Sequence, residues 1–426
     1  RDLGIISVAV YSEADREALH AQIADEAVCI GPARAADSYL NMDNIISAAL
    51  ASGCQAIHPG FGFLSENPDF AERITQAGLA FIGPTAATIR LMGDKSEAKR
   101  NAIAAGVPVA LGTDGPLRDF DEAISEAERI GYPVMLKAAS GGGGKGIRVA
   151  ESVKDLKDAY DSAAAEAIAN FGDGRLYMEK YIHNPRHIEV QILGDNYGNV
   201  VHLFERECSV QRRHQKLIEE SPSAFVTPEL REKMTSAAVA LAKRVGYRNA
   251  GTIEFLVDND RNFYFCEMNT RIQVEHPVTE EVTGVDLVCE QLRVAAGEPL
   301  SFQQEDLTIR GHAIECRINA EDPSRNFAPC PGTLVSLHLP GGPGVRVDSA
   351  AYQGYKIPPF YDSMIGKLIV YGADREQAIV RMRRALAETL FEGVVTATDY
   401  QMHILCSKAF VEANFNVNSI ANGDFD

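Results

Sequence analysis

The sequence predicts a mixed α/β and α+β protein: a parallel α/β unit first, then a small glycine-tipped flap, then a large strand-rich region. Three observations predict it. Short apolar runs alternate with amphipathic stretches over residues 1–92, a glycine run separates two β-type segments near residue 140, and β-rich apolar runs dominate beyond residue 182. A chain of 426 residues exceeds one ordinary core and implies about two to four packed units.

Residues 5–11, 27–30, 56–58 and 80–82 read as strands, with helices over 39–52 and 70–77, the latter closed by Gly78. Strand and helix in alternation imply a parallel sheet covered by helices. A further helix over 95–105 is stopped by Gly106 and Pro108. The expected division is an N-terminal α/β domain at 1–92, a helical linker at 93–108, a lid at 109–181 and a core with the C-terminal region at 182–426. Within the lid, runs 134–138 and 147–150 flank Ser140–Gly146. A strand, a glycine loop and a strand make a hairpin flap. An Ala-rich helix over 153–170 and a strand over 176–182 complete the unit. Beyond it, strands are expected at 187–193, 200–207, 252–257, 263–269, 312–319, 333–339 and 367–371. Thr227 as N-cap, Pro228 at N1 and Gly246 as terminator frame one strong helix. No internal repeat or low-complexity tract is present.

A net charge of −18 argues against a general nucleic-acid binder, because phosphate contacts need a basic surface. No apolar run approaches a membrane span, and no signal-peptide pattern opens the chain. Arg1-Asp2-Leu3-Gly4 reads as a helix ending, so a preceding segment is expected to be missing. Cysteines 29, 54, 208, 266, 289, 316, 330 and 406 form no CxxC pair and have no His at zinc spacing. They read as buried free thiols of a cytoplasmic protein.

Four segments look like chemistry. The run from Ser140 to Gly146, three residues after Lys137, is either a flexible hairpin tip or a flap closing over a triphosphate. It is not a Walker A loop, since Gly rather than Ser or Thr follows Lys145, and no helix follows as in a dinucleotide fingerprint. In the run Glu267-Met268-Asn269-Thr270-Arg271-Ile272-Gln273-Val274-Glu275, an extended chain would put Glu267, Asn269, Arg271, Gln273 and Glu275 on one face. Glu254 lies alone among apolar residues, where a charge needs a partner or a metal. Glu254, Glu267 and Asn269 supply the hard oxygens that Mg²⁺ takes beside phosphates. Arg206, Arg212, Arg213, His214 and Lys216 form a basic cluster, read either as a surface patch or as an anion pocket. The loop from Ile57 to Asn67 leaves a strand end, where ligands of α/β sheets collect, or it is a turn packed by Phe61 and Phe63.

Met268-Asn269-Thr270-Arg271-Ile272-Gln273-Val274-Glu275-His276-Pro277-Val278-Thr279-Glu280 resembles the signature of biotin carboxylases in the ATP-grasp superfamily. So do residues 58–67, Arg90-Leu91-Met92-Gly93-Asp94-Lys95, 137–146, 211–220 and Tyr361-Asp362-Ser363-Met364-Ile365-Gly366-Lys367-Leu368. The similarity runs in order along nearly the whole chain, without the family's usual first strand and Asn-Arg-Gly-Glu-Ile-Ala segment. Met-Asn-Thr-Arg and Glu219-Glu220-Ser221-Pro222 look more like the acetyl-CoA carboxylase type than pyruvate carboxylase. Lys145 stands where relatives often carry Arg, and Phe61 where others carry Tyr.

The resemblance implies an ATP-grasp fold and ATP-dependent carboxylation of biotin by bicarbonate through carboxyphosphate, the first half-reaction of acetyl-CoA carboxylase in fatty acid synthesis. It assigns Lys95, Lys137, Gly143 and Gly144 to the ATP phosphates, and Glu179, Lys180, Tyr181 and Ile182 to the adenine edge. His187, Gln211 and His214 fall nearer the ribose and phosphates. Glu254 and Glu267, with Asn269 at a second ion, would hold two Mg²⁺ or Mn²⁺ ions. Lys216, Arg271, Gln273 and Val274 would bind bicarbonate, Glu275 would be the base, and Arg346 would meet biotin. No Ala-Met-Lys-Met attachment site occurs, so biotin would arrive on a carboxyl carrier protein, with carboxyltransferase subunits downstream and a homodimer as the assembly. The alternatives are the corresponding domain of a propionyl-, methylcrotonyl- or pyruvate carboxylase, a carbamoyl-phosphate synthetase half, and a non-catalytic nucleotide-binding module.

Overall fold

The computed structural model describes residues 1–139 and 146–426. Gly143, Gly144 and Lys145 lie outside the described residues.

In the N-terminal unit, β1 (Val8–Tyr11), α1 (Leu19–Ile23) and β2 (Glu26–Cys29) are followed by α2 (Met42–Ala51), β3 (Ala56–Ile57), α3 (Pro68–Gln76), β4 (Ala80–Phe81), α4 (Ala86–Gly93) and α5 (Lys95–Ala104). β1 pairs parallel with β2, and β3 parallel with β4. The parallel pairing agrees with the strand–helix alternation, but the strands are shorter than their apolar runs, and 5–7 stay outside β1. Asn41 and Asn67 cap α2 and α3 by accepting from Asn44 N and Phe70 N, which fixes where each helix starts. Ile45, Ile46, Phe70, Ile74 and Ile89 bury one apolar face each into a common core.

The lid holds α6 (Phe120–Ile130), β5 (Val134–Ala138), β6 (Ile147–Ala150), α7 (Val153–Phe171) and β7 (Leu176–Lys180). β5 pairs antiparallel with both β6 and β7, so the expected hairpin is present. β7 stops at Lys180, leaving Tyr181 and Ile182 just beyond it. Leu136, Leu156, Ala163, Leu176 and Met178 form a core separate from the rest.

The remainder is built on one eight-stranded sheet. It begins with β8 (Arg186–Gly194), β9 (Val200–Arg212) and β10 (Gln215–Ser221), then α8 (Pro228–Arg244), β11 (Asn249–Val257) and β12 (Phe263–Asn269). Next come α9 (His276–Thr283), α10 (Leu287–Ala295) and β13 (His312–Asn319). β14 (Glu321–Asp322) and β15 (Ala328–Pro329) pair as a short ribbon, followed by β16 (Ser336–His338), β17 (Val345–Ser349), β18 (Met364–Gly372), α11 (Arg375–Glu388) and β19 (Leu390–Glu392), the last pairing β16. The sheet order is β12-β11-β8-β9-β10-β13-β18-β17, and every pairing within it is antiparallel. Thr227 caps α8 with Pro228 at N1, as its sequence requires. One apolar core lies under β8, β11 and α8, and a second under β13, β18 and α11. The polar residues described next lie between these cores.

Two expectations fail in the fold. All eight cysteines are free, but only Cys208 and Cys316 are buried; Cys29, Cys266 and Cys406 are exposed. The run 267–275 is not one extended chain: β12 ends at Asn269, an irregular segment follows, and α9 begins at His276. Pro277 at the first turn favours the helix start. The alternation of faces therefore fails, and Asn269, Gln273 and Glu275 are buried while Glu267 is exposed.

Candidate active site

Five strands of the sheet, β8, β10, β11, β12 and β13, bring polar side chains to one cleft. Lys216 on β10 is its centre: Nζ donates to Glu275 Oε1 at 2.5 Å, to Glu189 Oε2 at 2.6 Å and to Glu254 Oε1 at 3.2 Å. Three carboxylates on one buried ammonium are the arrangement that keeps both signs charged out of water. Burial would discharge Lys216, but those carboxylates outweigh it and hold the ammonium charged far above neutral pH. Burial likewise pushes the Glu275 and Glu254 carboxyls up. Lys216 and Arg317 overcome it at Glu275, and Lys216 and His187 overcome it at Glu254, so both are anionic at neutral pH.

Glu189 is shared with Arg206, whose guanidinium is fully buried. Arg206 donates to Glu189 at 2.5 Å, Gln191 at 2.7 Å, Thr279 at 2.9 Å, Thr252 at 3.1 Å and Gln273 at 2.7 Å. Gln273 in turn donates to Glu254 Oε1 at 2.9 Å. Arg206 thus fixes the orientation of Gln273 without facing the cleft. The basic cluster read from sequence is split by the β-pleat and by the turn: Arg206 and Lys216 go inward, while Arg213 and His214 take positive φ at the exposed β9–β10 turn. Gln211 is buried and pairs in register with Lys216.

Arg271 follows the end of β12. It donates to Asn269 Oδ1 at 3.0 Å and to Glu66 Oε2 at 3.0 Å. Glu66 Oε1 also accepts from the Thr270 backbone at 2.9 Å. The loop 57–67 therefore reaches the cleft with Glu66, while Phe63 at its tip stacks on Tyr39 with centroids 5.1 Å apart. Of the two aromatics of the packed-turn reading, Phe63 makes the ring contact and Phe61 stays exposed. Glu66 escaped sequence reasoning because its partner lies 205 residues away.

Glu254 and Glu267 are register partners across β11 and β12, and Asn269 pairs with Thr252 two positions on. Glu267 is open to solvent at the mouth of the cleft, yet hemmed in by protein. That partial desolvation and the nearby Glu254 raise its carboxyl pKa against the pull of Lys95 and His187. His187 Nε2 lies 3.2 Å from Glu254 Oε2; burial disfavours its proton, Glu254 overrules it, and the imidazole is raised to about 9. Two carboxylates and an amide oxygen are the donor set of a hard divalent cation. Asn269 Nδ2 points at Glu254 at 2.8 Å, so its oxygen would face an ion beside Glu254 only after the amide turns over.

In the lid, Lys137 forms an ion pair with Glu179, its diagonal neighbour across β5 and β7, where the register sets Lys137 opposite Tyr177. Lys180 Nζ donates to Gly131 O at 3.0 Å and Tyr132 O at 2.7 Å, so this ammonium is spent on the lid itself.

Arg346 is not brought to Glu275. On β17 it donates to Asp348 at 2.8 and 2.9 Å and to Glu280 at 2.7 Å. Lys367 separates it from the cleft, lying 3.6 Å from Asp348 and donating to Val274 O at 2.7 Å. The guanidinium beside Glu275 belongs to Arg317 on β13, with Nη2 2.9 Å from Glu275 Oε2 and Nε 2.6 Å from Glu219 Oε1. Sequence order concealed Arg317, because the sheet places β13 next to β10 after some ninety residues of intervening chain.

Family models match the chain in three consecutive stretches: the biotin carboxylase N-terminal domain at 1–89, the carbamoyl-phosphate synthase L chain ATP binding domain at 94–303, and the biotin carboxylase C-terminal domain at 315–422. The chain belongs to the biotin carboxylase family. It is 55% identical to biotin carboxylase 1 of Bacillus subtilis over 425 residues, covering 100% of this chain and 94% of the relative. It is 56% identical over 410 residues to a pyruvate carboxylase component of Methanothermobacter thermautotrophicus, covering 96% of this chain and 83% of the relative. The biotin carboxylase domain dimer of Hydrogenobacter thermophilus 2-oxoglutarate carboxylase, solved with MgADP, ADP and bicarbonate, superposes with TM-score 0.93 at 50% identity, covering 100% of this chain and 94% of that one. The biotin carboxylase ATP-grasp fold follows from these likenesses, with its large antiparallel sheet. The biotin carboxylase and pyruvate carboxylase relatives stand at nearly the same identity, so the likeness does not separate the two.

Proposed function

We infer that this biotin carboxylase family member uses ATP to activate bicarbonate and transfers the carboxyl group to biotin. The observation that carries the reading is the chain of contacts Arg271–Asn269–Glu254–Lys216–Glu275, which gathers two cations, a buried base and a carboxylate and an amide for a metal into one cleft. Glu254 and Glu267, with the Asn269 amide turned, would hold Mg²⁺ or Mn²⁺ as two ions. Bound there, the metal would offset charge on the phosphates of ATP.

Bicarbonate is an anion and a weak nucleophile, so cations must hold it beside a polyanion. Arg271 and Lys216 do so, with the Gln273 amide and the backbone of Val274 completing the pocket. Lys95 and Lys137 meet the phosphates. Glu179 to Ile182 meet the adenine edge, and His187, Gln211 and His214 lie toward ribose and phosphates. For Lys137 to reach a phosphate it must leave Glu179.

As Lys216 turns from Glu275 to bicarbonate, Glu275 loses its nearest cation and its proton affinity rises. It then takes the bicarbonate proton as the oxygen attacks the γ-phosphoryl group. ADP leaves, carboxyphosphate breaks down to CO₂ and phosphate, and phosphate removes the ureido proton of biotin, whose nitrogen then adds to CO₂. Arg317, in the place Arg346 was expected to fill, stabilises the resulting oxyanion.

A separate carboxyl carrier protein would deliver biotin, carboxyltransferase subunits would consume its product, and a homodimer is the assembly. The setting is the cytoplasm, and the acceptor assigned from the Met-Asn-Thr-Arg signature is acetyl-CoA. No described helix is long and apolar enough to cross a membrane. The test is phosphate release from ATP at saturating Mg²⁺. Both bicarbonate and free biotin should stimulate it, and Arg271→Ala should abolish the stimulation. Biotin that adds nothing to the wild-type rate would sink the reading.

A further inference from the structure

Behind Glu275 the sheet buries two more carboxyls that the chemistry above does not use. Glu219 on β10 and Glu315 on β13 are register partners, both fully buried. Directly opposite residues on neighbouring strands hold their Cβ atoms about 5 Å apart, so the two carboxyls share one face and one pocket. Neither oxygen of Glu315 has a hydrogen-bond partner, and neither does Glu219 Oε2. Glu219 Oε1 alone is satisfied, by Arg317.

Two bare carboxylates cannot coexist at that spacing in a dry site unless cations match them. The groups facing the pair are Arg317 on β13, Lys367 on β18, Lys216 on β10 and Glu275 before α9, with the thiols of Cys208 and Cys316 alongside. None of these cations is free for it. Arg317 is divided between Glu219 and Glu275, Lys367 donates to Val274 O, and Lys216 serves three other carboxylates. Fully ionised, the pair would leave three of its four oxygens buried without a donor. One shared proton supplies a donor between the two carboxyls.

We propose that Glu219 and Glu315 share a single proton at neutral pH and serve as positioning residues that hold Arg317 on Glu275. With the proton in place, one carboxyl donates to the other across the pair, and Arg317 keeps one anionic partner on each side. Loss of the proton adds a second negative charge behind Arg317, which draws the guanidinium away from Glu275. Burial drives both carboxyls toward the neutral form in spite of Arg317 and Lys367, Glu219 to about 7 and Glu315 well above the usual range. The two titrate as one unit.

The link to Glu275 rests on the carboxylation reading; the shared proton does not, so its test needs no turnover. Infrared spectra of the full chain at neutral pH should show the carbonyl stretch of a protonated carboxyl, lost in Glu315→Gln or in Glu219→Gln. A band that persists in both variants overturns the proposal. Stability gives a second measurement. The folded chain binds more protons than the unfolded chain above the free carboxyl value of about 4.3, so this pair costs stability increasingly as pH rises. Glu315→Gln removes that cost, and its melting temperature should gain on wild type steadily from roughly pH 5 to roughly pH 8. A gap that does not change with pH also overturns it. For the positioning role, Glu315→Gln should move the alkaline limb of kcat/KM for bicarbonate upward; a limb left in place would reduce the pair to structure.

Discussion

Glu275 has two cations within hydrogen-bonding distance, and they do different work. Lys216 is shared among three carboxylates and can be released to an incoming anion, because Glu189 and Glu254 keep other partners, Arg206 and His187. Arg317 is pinned at both ends, by Glu219 and by Glu275. Arg317→Met keeps most of the volume and removes the charge. It is expected to lower kcat by roughly 10²–10³-fold, the usual cost of losing one preorganised donor. The KM for ATP should stay close to wild type, since the Lys137–Glu179 contact lies in the lid. Steady-state kinetics with free biotin reads both, and a purely KM-type effect on ATP would refute the assignment. Residue types were legible in the sequence where one segment supplied them: Glu267 to Glu275 is contiguous. Arg317 and Glu66 were not legible, because each meets its partner through a strand order or loop approach that local pattern does not encode.

At the scale of elements, boundaries set by backbone chemistry were readable and those set by packing were not. Thr227 as cap, Pro228 at N1 and Gly246 mark α8 in the sequence as they do in the fold, whereas the Asn41 and Asn67 caps start α2 and α3 at Met42 and Pro68 and not at 39 and 70. The strand expected at 263–269 is β12 to the residue, but the next six residues alternate in polarity as a strand would, and that alternation hid the break before α9. What stops it is the descent of Gln273 and Glu275 into a buried polar layer, a tertiary demand. The flap hairpin gives the test at this scale. Gly146, immediately before β6, has φ +70° and a Cβ there would lie 2.8 Å from Ala138 Cβ on β5. Gly146→Ala therefore meets both backbone strain and a clash, at about 1–3 kcal/mol for the strained residue. Hydrogen exchange should rise in β5 and β6 and hold steady in β8 to β13. Equal protection of the flap in the variant would show that this turn does not need glycine.

Over the whole molecule, the site depends on a docking that neither unit makes alone. The N-terminal unit offers Glu66 to Arg271 and Thr270, and His58 meets Gln291 of α10 at 3.1 Å. Farther out, Tyr361 bonds Ala33 O at 2.6 Å and contacts the Ser12 hydroxyl, while its ring packs edge-on against Tyr39 and Phe63. Phe63 thus ties the tip of the loop carrying Glu66 to a C-terminal residue. The sequence showed three regions and their order, but not this clasp, which joins residues more than three hundred positions apart. Tyr361→Phe keeps the ring packing and leaves Ala33 O and a fully buried Ser12 hydroxyl without their partner. The expected loss is about 1–3 kcal/mol, the cost of stranding buried polar groups. Because the aromatic trio survives, the N-terminal unit should loosen rather than detach. Amide exchange should then quicken in residues 8–92, and the KM for bicarbonate should rise as Glu66 releases Arg271, while lid exchange remains as in wild type. Acceleration spread evenly over all 426 residues would mean a general loss of stability, and the clasp would have no special hold on the cleft.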